Sequence, residues 1–138
     1  MTDSAAVPTH DQLAELMPFS ASVGVEMVGG SKDEVTARLA WAPERCTAGG
    51  VLHGGSLMTL ADSVAATLAF LNLPAGAITT TIESKTNFLR GIKDGHAEAV
   101  ARPLHVGRRT IVVTTEIRDA AGKLAAVCTQ TQAVIEAG

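Results

Sequence analysis

From Glu34 to Trp41 the chain alternates, with Val35, Ala37, Leu39 and Trp41 apolar and Glu34, Thr36 and Arg38 polar between them. Successive side chains of a strand point to opposite faces, so this pattern predicts a strand with one buried face. The segment from Val25 to Val28, across Gly29, Gly30 and Ser31, supplies the first arm of a hairpin. Between Gly55 and Leu71 the period changes. Leu57, Leu60, Val64, Leu68 and Leu71 recur at helical spacing with no proline among them, which predicts one long helix after the loop from Pro43 to Gly50. Four strand-like runs follow: Ile78 to Arg90, His96 to Val106, Thr110 to Arg118 and Leu124 to Ile135. Turn clusters at Gly91 to Gly95, Gly107 to Arg109 and Asp119 to Lys123 separate them and are short enough for antiparallel neighbours. Ahead of everything, Thr9 and Gln12 have the form of a capping box, and Leu13, Leu16 and Met17 make a short apolar stripe that Pro18 ends. The order is a short helix, two strands, one long helix and four strands. It predicts an α+β fold in which an antiparallel sheet covers a single central helix, in one domain spanning residues 1–138.

Composition narrows the partners. With 46% hydrophobic residues, 18% charged and a mean hydropathy of +0.24, the chain can bury a core. Eleven Lys and Arg against fourteen Asp and Glu leave a net charge of -3, and one tryptophan with no tyrosine gives no basic surface interleaved with stacking aromatics, so nucleic acid is not an expected partner. Cys46 and Cys128 form no CxxC and are read as two reduced thiols. Met1 to Val7 lacks a basic and apolar leader, and the long uncharged run from Ser63 to Ile82 is interrupted by Asn72, Pro74 and Gly76. The expectation is a cytoplasmic protein with no membrane partner.

The helix carries the first chemical signal. At about 100° per residue, its leucine and valine stripe is centred roughly 160° from Asp62, which predicts an aspartate turned away from the sheet. A solvated face would surround it with charge. Instead its neighbours are Met58, Thr59, Ala65, Ala66, Ala69 and Phe70, and it is the only charged residue between His53 and Glu83. A helix apolar on both sides is buried on both sides, and in so short a chain a second subunit is the expected cover, with C2 symmetry the default. An unpaired carboxylate at such an interface costs several kcal/mol, so a partner group or a task must account for it.

The helix is preceded by Gly49-Gly50-Val51-Leu52-His53-Gly54-Gly55. Glycines there let backbone N–H groups approach a ligand at the positive end of the helix dipole, a geometry suited to the oxyanion formed when a carbonyl is attacked. A plain flexible turn is the alternative for glycines alone, as a structural role is for His53. Gly54 and Asp62 are eight residues apart, about 12 Å along a helix, too far to meet one carbonyl carbon. If both act on one substrate, they belong to different subunits. Gly54-Gly55-Ser56-Leu57-Met58 lacks the closing glycine of a nucleophile elbow, and no HExxH or ligand cluster accompanies His53, so neither a serine triad nor a metal hydrolase is indicated.

These residues resemble the hotdog-fold acyl-CoA thioesterases, in particular the phenylacetic-acid-degradation branch. The matching elements are Gly50-Val51-Leu52-His53-Gly54-Gly55 and Leu60-Ala61-Asp62, with Pro18-Phe19, Gly24-Val25, Asn87-Phe88-Leu89-Arg90 and Gly107-Arg108-Arg109-Thr110 extending the likeness over nearly the whole chain. The resemblance implies a hotdog fold and a dimer or dimer-of-dimers tetramer. It implies that the Gly54 N–H polarises the thioester carbonyl, that Asp62 of the other subunit activates water or attacks directly, and that His53 shapes the loop. It also places an assisting hydroxyl at Thr81, with Thr80 as the alternative. The family usually has Asn or Gln six residues before the histidine, where this chain has Thr47, whose hydroxyl donates with a shorter reach. Arg90, Lys93, Arg108 and Arg109 read by themselves as solvated turn charges; the resemblance offers them as holders of coenzyme A phosphates.

The expected activity is hydrolysis of an acyl-CoA to free coenzyme A and a carboxylic acid, with coenzyme A entering only as part of the substrate and no metal or further cofactor. A hotdog hydratase or dehydratase using His53 with an acid, and a non-catalytic acyl-CoA-binding module, are the alternatives.

Overall fold

The computed structural model describes residues 7–136, so the stretch from Met1 to Ala6, read above for a leader, lies outside them. Two short helices, α1 (His10–Leu16) and α2 (Pro18–Val23), lead into the hairpin β1 (Val25–Ser31) and β2 (Glu34–Ala40). A 3-10 turn, Pro43–Arg45, and a glycine-rich loop precede the long helix α3 (Gly54–Leu71). Then come β3 (Ile78–Phe88), β4 (His96–Val106), β5 (Thr110–Asp119) and β6 (Leu124–Ile135). All pairings are antiparallel, in the order β1-β2-β4-β5-β6-β3, which leaves β1 and β3 as the edges.

The sheet curls around α3, which touches every strand. Leu57, Leu60, Val64 and Leu68 are buried, as the stripe requires, against inward residues such as Val35, Leu39, Ile111 and Ile117. Each such burial contributes about 1.5–3 kcal/mol. On β4 the inward positions are Ala97, Ala99 and Ala101, and these short side chains let the helix lie close to the middle of the sheet. By length and hydropathy α3 could cross a membrane, yet half of it is buried inside this fold, as befits a core helix.

Four expectations need correction. Pro18 does not merely end a helix. Its fixed φ suits the first helical position, so it starts α2, which Gly24 closes in the left-handed conformation at φ 109°. Gly29, Gly30 and Ser31 are not the hairpin turn but the end of β1, where a Cβ on Gly30 would lie 2.9 Å from the Glu34 carbonyl oxygen; the turn is Lys32-Asp33. The strand expected to reach Arg90 ends at Phe88, after which the Leu89 and Arg90 N–H groups both donate to the Ala125 carbonyl, at 2.8 and 3.2 Å. Finally, Asp62 does not turn away from the sheet. Edge strand β3 bends alongside α3, and hydrogen bonds from β3 and β6 reach its carboxylate.

Candidate active site

The loop before α3 is pinned from several sides. The Arg45 guanidinium donates to the carbonyls of Val23 and Ala40 at 2.6 and 2.9 Å, and the Trp41 indole donates to the Gly50 carbonyl at 2.9 Å. Cys46 bridges Leu52, and the Leu52 N–H donates to the Ile92 carbonyl at 2.9 Å. Gly49 and Gly50 take φ values of 83° and 72°, a region that side chains resist. His53 is the N-cap of α3, and its Nδ1 accepts the Gly55 N–H at 2.7 Å. Gly54 is the first helical residue, and its N–H makes no hydrogen bond among the described residues, as first-turn donors do when nothing caps them. A Cβ there would stand 3.1 Å from Phe88 Cζ, so any side chain would press on that ring.

Two turns further along α3, Asp62 Oδ1 accepts from Gln130 Nε2 at 2.9 Å and from the Thr81 hydroxyl at 3.4 Å. Thr81 is therefore brought to the carboxylate, and Thr80 is not. A bulge in β3 between Thr81 and Glu83 accounts for what surrounds it. The extra residue, Ile82, shifts the alternation, so Thr79 and Thr81 before it and Ser84 and Phe88 after it face the helix side. Asp62 opens on a groove of about 540 Å³ whose other lining includes Met17, Phe19, Met58, Ala66 and Ser84. A second groove, about 480 Å³, shares Met17 and Ala66 and continues to Leu16 and Phe70.

The remaining expected residues are distributed. Within one chain the straight helix keeps Gly54 and Asp62 about 12 Å apart. His53 spends Nδ1 on its own helix terminus and forms no pair with Asp62. The exposed Thr47 is tied by its backbone, its N–H donating to the Val51 carbonyl at 2.8 Å, and its hydroxyl makes no hydrogen bond among the described residues. Arg90 and Lys93 lie at one end of β4, and Arg108 and Arg109 at the other, about 33 Å away by strand rise. Arg108 and Arg109 line a groove of about 600 Å³ with Val134, Ile135 and Glu136. Cys46 and Cys128 are free thiols, and among the described residues no three His, Cys, Asp or Glu gather as a metal site.

Sequence reasoning missed Gln130 and Gln132. The signal was available: on β6 the inward positions run Ala126, Cys128, Gln130, Gln132, so two amides stand where period two calls for apolar residues.

Residues 49–126 match the Thioesterase superfamily. The chain belongs to that superfamily. Among relatives of this thioesterase, an esterase-named protein of Deinococcus radiodurans is 31% identical over 121 residues, 87% of this chain and 76% of that one. The 1,4-dihydroxy-2-naphthoyl-CoA hydrolase of Escherichia coli is 31% identical over 86 residues, 62% of this chain and 63% of its own. Among solved structures, a Haemophilus influenzae thioesterase superposes with a TM-score of 0.86 at 27% identity, covering 94% of this chain and 92% of that one. The thioesterase is thus a hotdog-fold thioester hydrolase, its antiparallel sheet wrapped on one central helix.

Proposed function

We propose that the protein is an acyl-CoA thioesterase of the phenylacetic-acid-degradation type, working as a homodimer or a dimer of dimers. The observation that carries the reading is the Asp62 carboxylate, held through Oδ1 at the side of an apolar groove. The thioester carbonyl oxygen takes the Gly54 N–H of one chain, and Asp62 of the other attacks the carbonyl carbon or deprotonates the water that does. On either route the C–O bond forms, the C–S bond breaks, and a proton from water ends on the coenzyme A thiolate; on the direct route a water then hydrolyses the acyl–Asp62 anhydride, which releases the acid and restores the carboxylate.

Several features support a two-chain site. β3 is an open edge of eleven residues with Ile78, Ile82 and Phe88 exposed, and Met58 and Phe70 are exposed on the neighbouring flank of α3. Long apolar edges are what proteins ordinarily cover, and an antiparallel pairing of two copies of one edge is self-complementary. Such pairing sets the Ile78 end of one β3 beside the Phe88 end of the other. Arg108 and Arg109 of one chain and Arg90 and Lys93 of its partner then flank one Gly54 and form the basic rim for the coenzyme A phosphates. The named hydrolysis of a coenzyme A thioester by the Escherichia coli relative supports the substrate class.

Thiol release from a panel of aryl- and alkyl-coenzyme A thioesters tests the activity. Turnover is expected, whereas saturation without thiol release identifies a binding module and water addition without thiol release a hydratase. The two-chain site is tested by mixing Asp62→Asn with Gly54→Val, each inactive alone. Hybrid dimers contain one intact site and should regain activity, and no recovery after proven subunit exchange places the site in one chain.

A further inference from the structure

Gln130 and Gln132 are 0% and 1% exposed; the Gln130 amide reaches the carboxylate that the proposed function uses, and the Gln132 amide reaches the Thr81 hydroxyl beside it. Gln130 Nε2 has two hydrogens and two acceptors, Asp62 Oδ1 at 2.9 Å and the Thr81 hydroxyl oxygen at 3.4 Å. Gln132 Nε2 donates to the same Thr81 oxygen at 2.8 Å. Behind it, the Thr79 hydroxyl lies 3.0 Å from Gln132 Oε1 and 2.8 Å from the Ala133 carbonyl oxygen, and its single proton serves one of the two. A hydroxyl has two lone pairs and one proton. The two amides occupy the lone pairs of Thr81, so its proton is directed at Asp62 Oδ1, 3.4 Å away. The chain of donors runs one way, from amide to hydroxyl to carboxylate.

One atom shows what this arrangement sacrifices. Gln130 Oε1 is buried with no hydrogen-bond partner among the described residues. Turning the amide over would aim that oxygen at Asp62, whose ionised carboxylate only accepts, and would remove its 2.9 Å donor. A buried amide that leaves its own oxygen unsatisfied while keeping its N–H on a carboxylate is held there by the carboxylate. All the hydrogen bonds to Asp62 from side chains among the described residues fall on Oδ1, leaving Oδ2 without one.

We infer that Gln130, backed by Gln132 through Thr81, is a positioning residue that clamps one oxygen of Asp62 and aims the other at the reacting thioester. The inference rests on the reading of Asp62 as the catalytic carboxylate, and its test separates the two. Gln130→Met keeps the unbranched shape and deletes the donor. It should lower kcat about 10- to 100-fold, the scale of a misplaced catalytic group, with KM within about twofold and the melting temperature held or raised. Introduced into Asp62→Asn, the same change should lower the residual rate by less than about twofold, since no carboxylate is left to aim. Wild-type kcat in Gln130→Met, or the same fold-loss in both backgrounds, overturns the inference. Full activity in Asp62→Asn overturns the carboxylate reading and the inference with it, whereas an inactive Asp62→Asn beside a fully active Gln130→Met overturns the inference alone. If Gln130→Met does not fold, Gln132→Met decides the matter. It should cost several-fold in kcat in the wild type and nothing in Thr81→Val, and an equal loss in both overturns the relay.

Discussion

The two ends of β6 serve two aspartates in contrasting ways. Just before its start, Asp119, the last residue of β5, accepts the backbone N–H groups of the turn residues Ala121 and Lys123 at 3.0 and 2.9 Å, closing the turn between β5 and β6. Those donors are two and four residues away, and the carboxylate is on the surface. Toward its other end, β6 sends a side-chain amide to Asp62 from 68 residues away, out of a fully buried position. A local turn can be closed by backbone donors that cost nothing to place there. Fixing a carboxylate on a different element takes buried polar side chains, whose desolvation costs free energy wherever a hydrogen bond is left unmade, as at Gln130 Oε1. The expected consequence is a separation of effects: changes around Asp62 act on rate, and changes at Asp119 act on stability.

The largest test of that contrast is Asp62→Asn. On the proposed mechanism the group that supplies base or nucleophile is lost, so turnover should fall about 10²- to 10⁴-fold. The asparagine Oδ1 can still accept from Gln130, so the melting curve should stay close to that of the wild type. An equal loss of stability would erase the difference between the two ends of the strand. Next comes the edge strand that carries Thr81. Ile82, 59% exposed at the bulge, would meet its copy's neighbourhood in a β3-paired dimer. On the proposed two-chain site, Ile82→Asp should shift the protein to monomers in sedimentation and lower activity about tenfold or more at dilute concentration, because each site would then lack its second chain. Val28→Asp, at the bulge of the opposite edge strand β1, is the control and should change neither.

What was legible in the sequence follows the same division between near and far. The capping box of Thr9 and Gln12, the span of α3 and the turn from Asp119 to Lys123 are set by residues within a few positions of one another, and they stand where the pattern puts them. The site is legible where its parts are contiguous, as in His53 and Gly54 at the helix start. Gln130 was not, because its partner depends on the register between β6 and β3. Strict alternation would put Thr81, Glu83 and Lys85 on one face. The bulge at Ile82 breaks that rule, giving Thr81 and Ser84 the same side, and nothing local in Thr-Ile-Glu-Ser announces it. Pro18 failed for the opposite reason, since a residue that ends one helix is equally suited to begin the next.

The β4–β5 turn, which also borders the far end of β6, gives a third and smaller effect. Arg108 and Arg109 are exposed, and the Arg109 carbonyl accepts the Val134 N–H at 2.8 Å, a backbone bond that survives substitution. Reversing both charges should raise KM about tenfold, the worth of one charge-assisted hydrogen bond of about 1.5 kcal/mol, with kcat comparatively unchanged. The effect should weaken with added salt, which screens exposed charge over about 10 Å at 0.1 M. A short thioester without the nucleotide should not sense the change. Equal losses on both substrates would make these arginines part of the fold or the assembly and not of substrate binding.

The smallest effect belongs to Asp119. The Lys123 backbone N–H is the chief cause that holds its carboxyl below the usual 3.8, with the Ala121 N–H and the charges of Arg90 and Lys123 acting in the same direction against a desolvation that raises it. A folded-state value below the unfolded one means that the ionised form favours folding. The contribution is present above the unfolded value and is lost as pH falls through the folded one. Asp119→Asn keeps an acceptor for the turn but removes the charge, so at pH 7 it should lower the melting temperature by about 1–3 °C and leave kcat and KM unchanged. Melting curves repeated at descending pH should bring the two proteins together once the pH has fallen through the folded-state value of Asp119, where both side chains are neutral. A gap that persists there would assign the effect to the geometry of the turn instead of the charge. A loss of turnover at pH 7 would show that the two ends of β6 are coupled, and that the division between a structural and a catalytic aspartate is drawn in the wrong place.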